Sequence, residues 1–129
     1  MEELSDSKVS PHKSKSGLGR LWNALFYSIA GFKAAYRHEH AFRQECLLAL
    51  VLLPLAFLLP TGGLGKAMMV ASVLLVLIVE LLNSALEAAV DRISLEDHQL
   101  AKRAKDIGSA AVFTSLLNVA VIWALVLFA

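Results

Sequence analysis

Four polar residues, Glu80, Asn83, Glu87 and Asp91, stand in "VELLNSALEAAVDR" (79–92), directly after "AMMVASVLLVLIV", a stretch apolar enough to lie in a lipid bilayer. Separations of three, four and four residues stack them on one helical face, within about 40° either side of its centre line at ~100° per residue. Counted back from Asp91 as the end in water, Glu80 lies eleven residues deeper, about 16 Å at 1.5 Å per residue. A carboxylate at that depth is costly unless it is paired or faces protein or water, so its default reading is functional. The alternative is a structural hydrogen bond between helices.

A second acid, Glu39 in "RHEHAFRQE", falls where an amphipathic segment turns into the first strongly apolar one, and Glu45 follows six residues later. If the chain folds back as a bundle, Glu39 and Glu87 both lie near one interface and could share a divalent cation, for which hard carboxylate oxygens suit Mg²⁺. The His38-Glu39-His40 triplet is a poor zinc site, because residues two apart on a helix face different ways. Further on, "SLEDHQLAKRAKDIGSAA" supplies Glu96, Asp97, His98, Lys102, Arg103, Lys105 and Asp106, which the sequence places in a loop before the last helix. Lys and Arg beside a Mg²⁺-holding acid cluster are what nucleotide phosphates need. No GxxxxGK[ST] or GxGxxG is present, so such a site is of another type. A solvated loop touching lipid headgroups is the competing reading.

Elements that must position these groups follow from hydropathy. The 129 residues are 57% hydrophobic, with mean hydropathy +0.64, which describes a membrane protein. A formal net charge of +1 gives no general attraction to nucleic acid, and none is expected as a partner. Residues 1–17 read as a disordered polar tail without a signal-peptide core, and 18–129 as the membrane-embedded domain. Cys46, the single cysteine, excludes an internal disulfide and suits packing.

Leu18, Leu21, Trp22, Leu25, Ile29, Phe32 and Tyr36 recur at helical steps, with Arg20, Tyr27, Gly31 and His38 opposite. This predicts an amphipathic surface helix over 18–40. Three apolar stretches follow: 46–59, 67–79 continuing to 90, and 107–129. The first is short for a span unless Ala41, Phe42 or the loop extends it. Pro60-Thr61-Gly62-Gly63 turns the first into the second. Lys and Arg crowd the region before Cys46 and the segment Arg92–Lys105, whereas the Pro60 loop has Lys66 alone. The positive-inside tendency therefore puts the amino terminus and the 92–105 loop in the cytoplasm and Ala129 outside.

Three blocks in this order, "EHAFRQE" (39–45), "VELLNSALEAAVDR" (79–92) and "AKDIGSAAV" (104–112), each at a membrane boundary, closely resemble the small prokaryotic diacylglycerol kinases. The resemblance runs from about Gly19 to Phe128. It implies an all-α membrane protein, an N-terminal surface helix plus three transmembrane helices per protomer. It further implies a homotrimeric bundle in the bacterial inner membrane with active sites shared between subunits, its carboxyl terminus periplasmic. The implied reaction transfers the ATP γ-phosphoryl group to diacylglycerol, making phosphatidic acid. Carried over residue by residue, Glu80 is the general base that takes the lipid hydroxyl's proton. Glu39 and Glu87 are the Mg²⁺-binding acids, with Asn83 alongside. Arg20, Tyr27, Glu96, Asp97, His98, Lys105 and Asp106 contact the nucleotide. The lipid side involves Arg20, Ser28, Lys33, Ala41, Phe42, Arg43, Gln44, Glu45, Glu80 and Ser109.

Two other functions compete. Undecaprenol kinase is the related activity on a polyprenyl alcohol and retains the acidic stripe, but "AFRQE" and "KDIGSAAV" look more like the diacylglycerol branch. A small proton-coupled transporter or channel would also carry intramembrane acids. Against it, the acids here crowd one membrane face, where a transporter more often places a charge near the midplane.

Overall fold

The computed structural model describes residues 16–93 and 98–129, and all four regular elements in them are helices: α1 (Gly17–His38), α2 (His40–Leu58), α3 (Gly63–Ile93) and α4 (His98–Phe128). The expected tail lies outside the described residues up to position 15. Among the described residues there is no strand, so the fold is all-α, with three helices long and apolar enough to cross a membrane.

By internal contacts the described chain forms two compact units, α1 and the three-helix unit Glu39–Ala129. Within α1 the predicted stripe is helical throughout. Leu18, Leu21, Trp22, Leu25, Ile29, Phe32 and Tyr36 are all exposed large apolar side chains, and Trp22 meets Phe26 edge to face with centroids 5.3 Å apart. A helix that leaves so wide an apolar face in the open is built to lie against an apolar medium.

The second unit begins at Glu39, whose extended backbone (φ −111°, ψ 109°) interrupts the helix and makes it the N-cap of α2 without a side-chain capping bond. α2 starts at His40 and so takes in Ala41 and Phe42, giving the first span the length that its apolar run alone lacks. Pro54 sits inside α2 without ending it. At the far end Leu59 N–H donates to Leu55 O at 2.9 Å. Lys66, from the start of α3, then donates its ammonium to Phe57 O at 2.8 Å and Leu59 O at 2.6 Å. The lone cation of the Pro60 turn thereby satisfies carbonyls that a helix C-terminus leaves unpaired.

α3 is the middle helix, packed on both α2 and α4. Its buried residues Met69, Ser72, Val73, Val76, Glu80, Asn83 and Ser84 form one face, and α2 answers with Phe42, Glu45, Ala49 and Ala56 at three-, four- and seven-residue steps. Gly65 near the start of α3 packs on Val126 of α4, and Gly108 near the start of α4 packs on Asn83 of α3. The same number of residues separates Gly65 from Asn83 as separates Gly108 from Val126, so the two helices run antiparallel and in register between close approaches. Trp123 Nε1 donates to Ser72 Oγ at 3.2 Å between them, and that hydroxyl donates to Met69 O at 2.7 Å.

One expectation needs correcting. Lys102, Arg103, Lys105 and Asp106 do not lie in a loop: α3 continues to Ile93 and α4 already begins at His98, so these residues occupy its first turns. "HQLAKRAKD" is polar but rich in good helix formers, and Lys102 pairs with Asp106 at 2.6 Å in the helical i,i+4 relation. Polarity marks where the helix leaves the membrane, not where it stops. Helices of 31 residues are about 46 Å long, against a hydrocarbon core of about 30 Å, so α3 and α4 each project past the core.

Candidate active site

The acidic stripe of α3 is graded in burial. Glu80 is 3% exposed and Asn83 9%, Glu87 is half-buried, and the Asp91 side chain is 62% exposed. One helical face thus runs from the protein interior to the surface in three turns. Asn83 donates Nδ2 to Glu87 Oε1 at 3.4 Å, linking adjacent members of the stripe. At the exposed end Asp91 accepts an ion pair at 2.5 Å from Lys105, which ties α3 to α4.

α2 contributes the facing acids. Glu45, 8% exposed, interacts directly with Glu80, and the charges of Glu39 and Glu87 also reach Glu80. Three carboxyl groups, Glu39 and Glu45 at the start of α2 and Glu87 on the second half of α3, therefore act on Glu80. Among the described residues, four buried polar side-chain atoms have no hydrogen-bond partner, and three of them belong to this cluster: Glu45 Oε2, Asn83 Oδ1 and Ser84 Oγ. Buried polar atoms are normally paired, so an unpaired group of them beside an acid is a place for a polar ligand atom. Ser84, one turn beyond Glu80, is the member that sequence reading passed over. Its signal was the i,i+4 spacing from Glu80.

The remaining predicted residues divide by element. Arg20, Tyr27, Ser28 and Lys33 are exposed on α1, where Ser28 Oγ donates to Ala24 O at 2.8 Å. On the first turns of α2, Ala41 and Gln44 are exposed, Phe42 is buried and Arg43 is half-buried. His40 lies within 3.3 Å of Arg43 Nη2 and 3.4 Å of Gln44 Nε2. Lys105, Asp106 and Ser109 lie on α4, with Asp106 held by Lys102 and Ser109 exposed. Glu96 and Asp97 lie outside the described residues, as does the side chain of His98. The structure brings together Glu39, Glu45, Glu80, Asn83 and Glu87, and separately Asp91 with Lys105.

For a metal, the donors are hard carboxylate oxygens. Among the described residues no group of three or more His, Cys, Asp or Glu side chains closes around a single point. Mg²⁺ is commonly held by one or two carboxylates plus substrate phosphates and water, so a pair of acids is donor enough for it. Glu87, already oriented by Asn83, and Glu39, with no capping duty on α2, have the chemistry for it.

Comparison with known proteins agrees with this architecture. Residues 26–127 match the prokaryotic diacylglycerol kinase family. The chain is 58% identical over 118 residues to the diacylglycerol kinase of Pseudomonas aeruginosa, covering 92% of this chain and 96% of that one. It is 50% identical over 113 residues to that of Haemophilus influenzae (88% and 96% covered) and 42% identical over 113 residues to that of Escherichia coli K12 (88% and 93% covered). With a polar cluster of this make-up at the end of a spanning helix, and likeness along nearly its whole length, the chain belongs to the prokaryotic diacylglycerol kinase family.

Proposed function

We propose that this protein transfers the γ-phosphoryl group of ATP to the free hydroxyl of diacylglycerol at the cytoplasmic face of the bacterial inner membrane, forming phosphatidic acid. The observation that carries the reading is the burial gradient on α3, from Glu80 in the interior to Glu87 and Asp91 at the surface. A lipid hydroxyl lies at the edge of the hydrocarbon and nucleotide phosphates lie in water. A lipid kinase needs an acceptor for a proton at the first depth and cation-holding acids at the second.

In this reading Glu80 accepts the proton as the hydroxyl oxygen attacks the γ-phosphorus. A new O–P bond forms, the bridging bond to the β-phosphate breaks, and ADP leaves. Ser84 Oγ and Glu45 Oε2, buried and close to Glu80, hydrogen-bond and orient the attacking hydroxyl. Glu39 and Glu87 would hold Mg²⁺, which when bound would supply charge neutralisation at the phosphates. Asn83 fixes the Glu87 carboxylate, and Lys105 meets the nucleotide; for Arg20 and Tyr27 on α1 a nucleotide role rests on the family resemblance alone. The apolar face of α1 rests on the membrane surface beside the diacylglycerol. By the distribution of Lys and Arg, the amino terminus and the segment joining α3 to α4 are cytoplasmic and Ala129 is periplasmic.

The unit that works is a homotrimer with sites completed by neighbouring subunits. Only 6% of the most apolar window of α4 is buried within the chain, against 39% for α3, which leaves α4 a wide face for lipid and partners.

The test is to give purified protein ATP and Mg²⁺ with dioleoylglycerol or undecaprenol in mixed micelles. Labelled phosphatidic acid, with undecaprenyl phosphate formed far more slowly, is expected. Phosphorylation of undecaprenol in preference to dioleoylglycerol would move the chain to the related activity, and no phosphorylated lipid from either would refute the reading.

A further inference from the structure

Gly108 is buried on α4 in the face that meets α3. A methyl group built on it would run into Asn83 Oδ1, and would lie 3.3 Å from Asn83 Cγ and 3.1 Å from Leu86 Cδ2. Leu86 is 38% exposed and can swing away, but Asn83 is 9% exposed and has no such freedom. Asn83 Oδ1 is buried, free of any hydrogen bond and turned toward Gly108, and Nδ2 is turned to Glu87. A buried amide oxygen would ordinarily not forgo a partner. Here the absence of a Cβ lets the amide take this orientation.

We propose that Gly108 is a positioning residue for the Glu87 carboxylate. It gives Asn83 room to hold its amide nitrogen on Glu87, and any side chain at 108 turns that donor away. The idea rests on the reading of Glu87 as a metal-holding acid. Gly65 serves as the internal contrast: at the opposite end of the helix pair, a methyl group built on it would lie 2.9 Å from Cγ1 of the apolar Val126, where no site residue is involved. Small residues commonly let membrane helices approach one another. What separates Gly108 from Gly65 is that its neighbour is a polar group already engaged with the cluster.

The experiment uses the full-length protein in detergent as wild type, Gly108→Ala, Asn83→Ala and the double variant, with Gly65→Ala as control. Three quantities are measured: thermal unfolding without ligand, Mn²⁺ affinity with ATP by electron paramagnetic resonance, and the Mg²⁺ concentration giving half-maximal kinase rate. Losing an outer hydrogen-bond partner of a metal ligand typically costs 10–100-fold in affinity. Gly108→Ala should therefore weaken Mn²⁺ binding and raise the half-maximal Mg²⁺ by about tenfold or more, whereas Gly65→Ala lowers thermal stability alone. In the Asn83→Ala background, adding Gly108→Ala should change neither metal affinity nor unfolding further. If Gly108→Ala does not fold but the double variant does, the clash with Asn83 is established by the rescue. Equal damage from Gly108→Ala with and without Asn83 would overturn the spacing itself. Coupled unfolding with metal affinity left at the wild-type value would overturn the role in the site. Glu87→Gln, measured alongside, tells the two failures apart: loss of Mn²⁺ affinity there keeps Glu87 as a metal-holding acid and faults only the positioning, whereas wild-type affinity there faults the reading of Glu87.

Discussion

Replacing Glu80 with Gln separates a catalytic carboxylate from a structural one, because the two roles predict opposite signs for stability. Gln matches Glu in volume, so at a position 3% exposed it creates no cavity and demands no repacking. It removes the charge on which the carboxyl groups of Glu39, Glu45 and Glu87 act, while the amide keeps groups that can hydrogen-bond Ser84 and Glu45. The thermal midpoint of Glu80→Gln should therefore equal or exceed that of wild type. The amide cannot accept the hydroxyl proton, and loss of a general base typically costs 10²–10⁴-fold, or about 2.7–5.5 kcal/mol of barrier at 1.36 kcal/mol per decade. Measured on one preparation, kcat should fall by that factor while Tm and ATP binding hold. A drop in Tm that accounts for the lost rate would assign Glu80 to helix packing. A near-normal kcat in a folded variant would refute its role as the base.

Other consequences follow from the same geometry. Glu87→Gln and Glu39→Gln should each lower activity at limiting Mg²⁺, with partial recovery at high Mg²⁺; an unchanged metal dependence in both would remove them from the metal site. Asp91→Asn releases Lys105 from its 2.5 Å ion pair at an exposed position, so KM for ATP should shift severalfold with Tm unmoved; a fall in Tm without any change in KM would make the pair structural. For topology, a cysteine at Gly63, which is exposed with open space around its Cα, should react in a Cys46→Ala background with a membrane-impermeant maleimide added outside intact cells; reaction only after the inner face is opened would invert the orientation.

Much of this could be read from residue order because the bilayer leaves helices few options. Period and hydropathy were enough to define α1, the α2–α3 hairpin and the stripe of Glu80, Asn83, Glu87 and Asp91, since side chains at three- and four-residue steps share a face whatever the tertiary fold. What they could not give were features set by contact between helices. The start of α4 at His98 is hidden in the sequence because a polar stretch suggests a loop, where a helix long enough to leave the membrane simply becomes polar as it does so. Lys66 counted as a topological charge, and its bonds to Phe57 and Leu59 appear only once α2 and α3 are joined. Ser84 shares the Glu80 phase but is too common in helices to stand out, and the meaning of Gly108 depends on which α3 residue lies opposite. The pairing of Glu45 with Glu80 likewise needed the register of α2 on α3.

The central claim is that one helix delivers two carboxylates to two media, Glu80 to the lipid hydroxyl and Glu87 to the aqueous phosphates. Spin labels on cysteines placed at 80, 87 and 91 one at a time, in a Cys46→Ala background reconstituted in bilayers, report depth through their relaxation by oxygen and by a water-soluble nickel chelate. Seven residues of helix span about 10 Å, so the label at 80 should lie roughly that much deeper than the label at 87, oxygen-rich and shielded from nickel, with 91 the most exposed to nickel. Labels at 80 and 87 reporting the same depth, both in water or both in the hydrocarbon, would contradict the account.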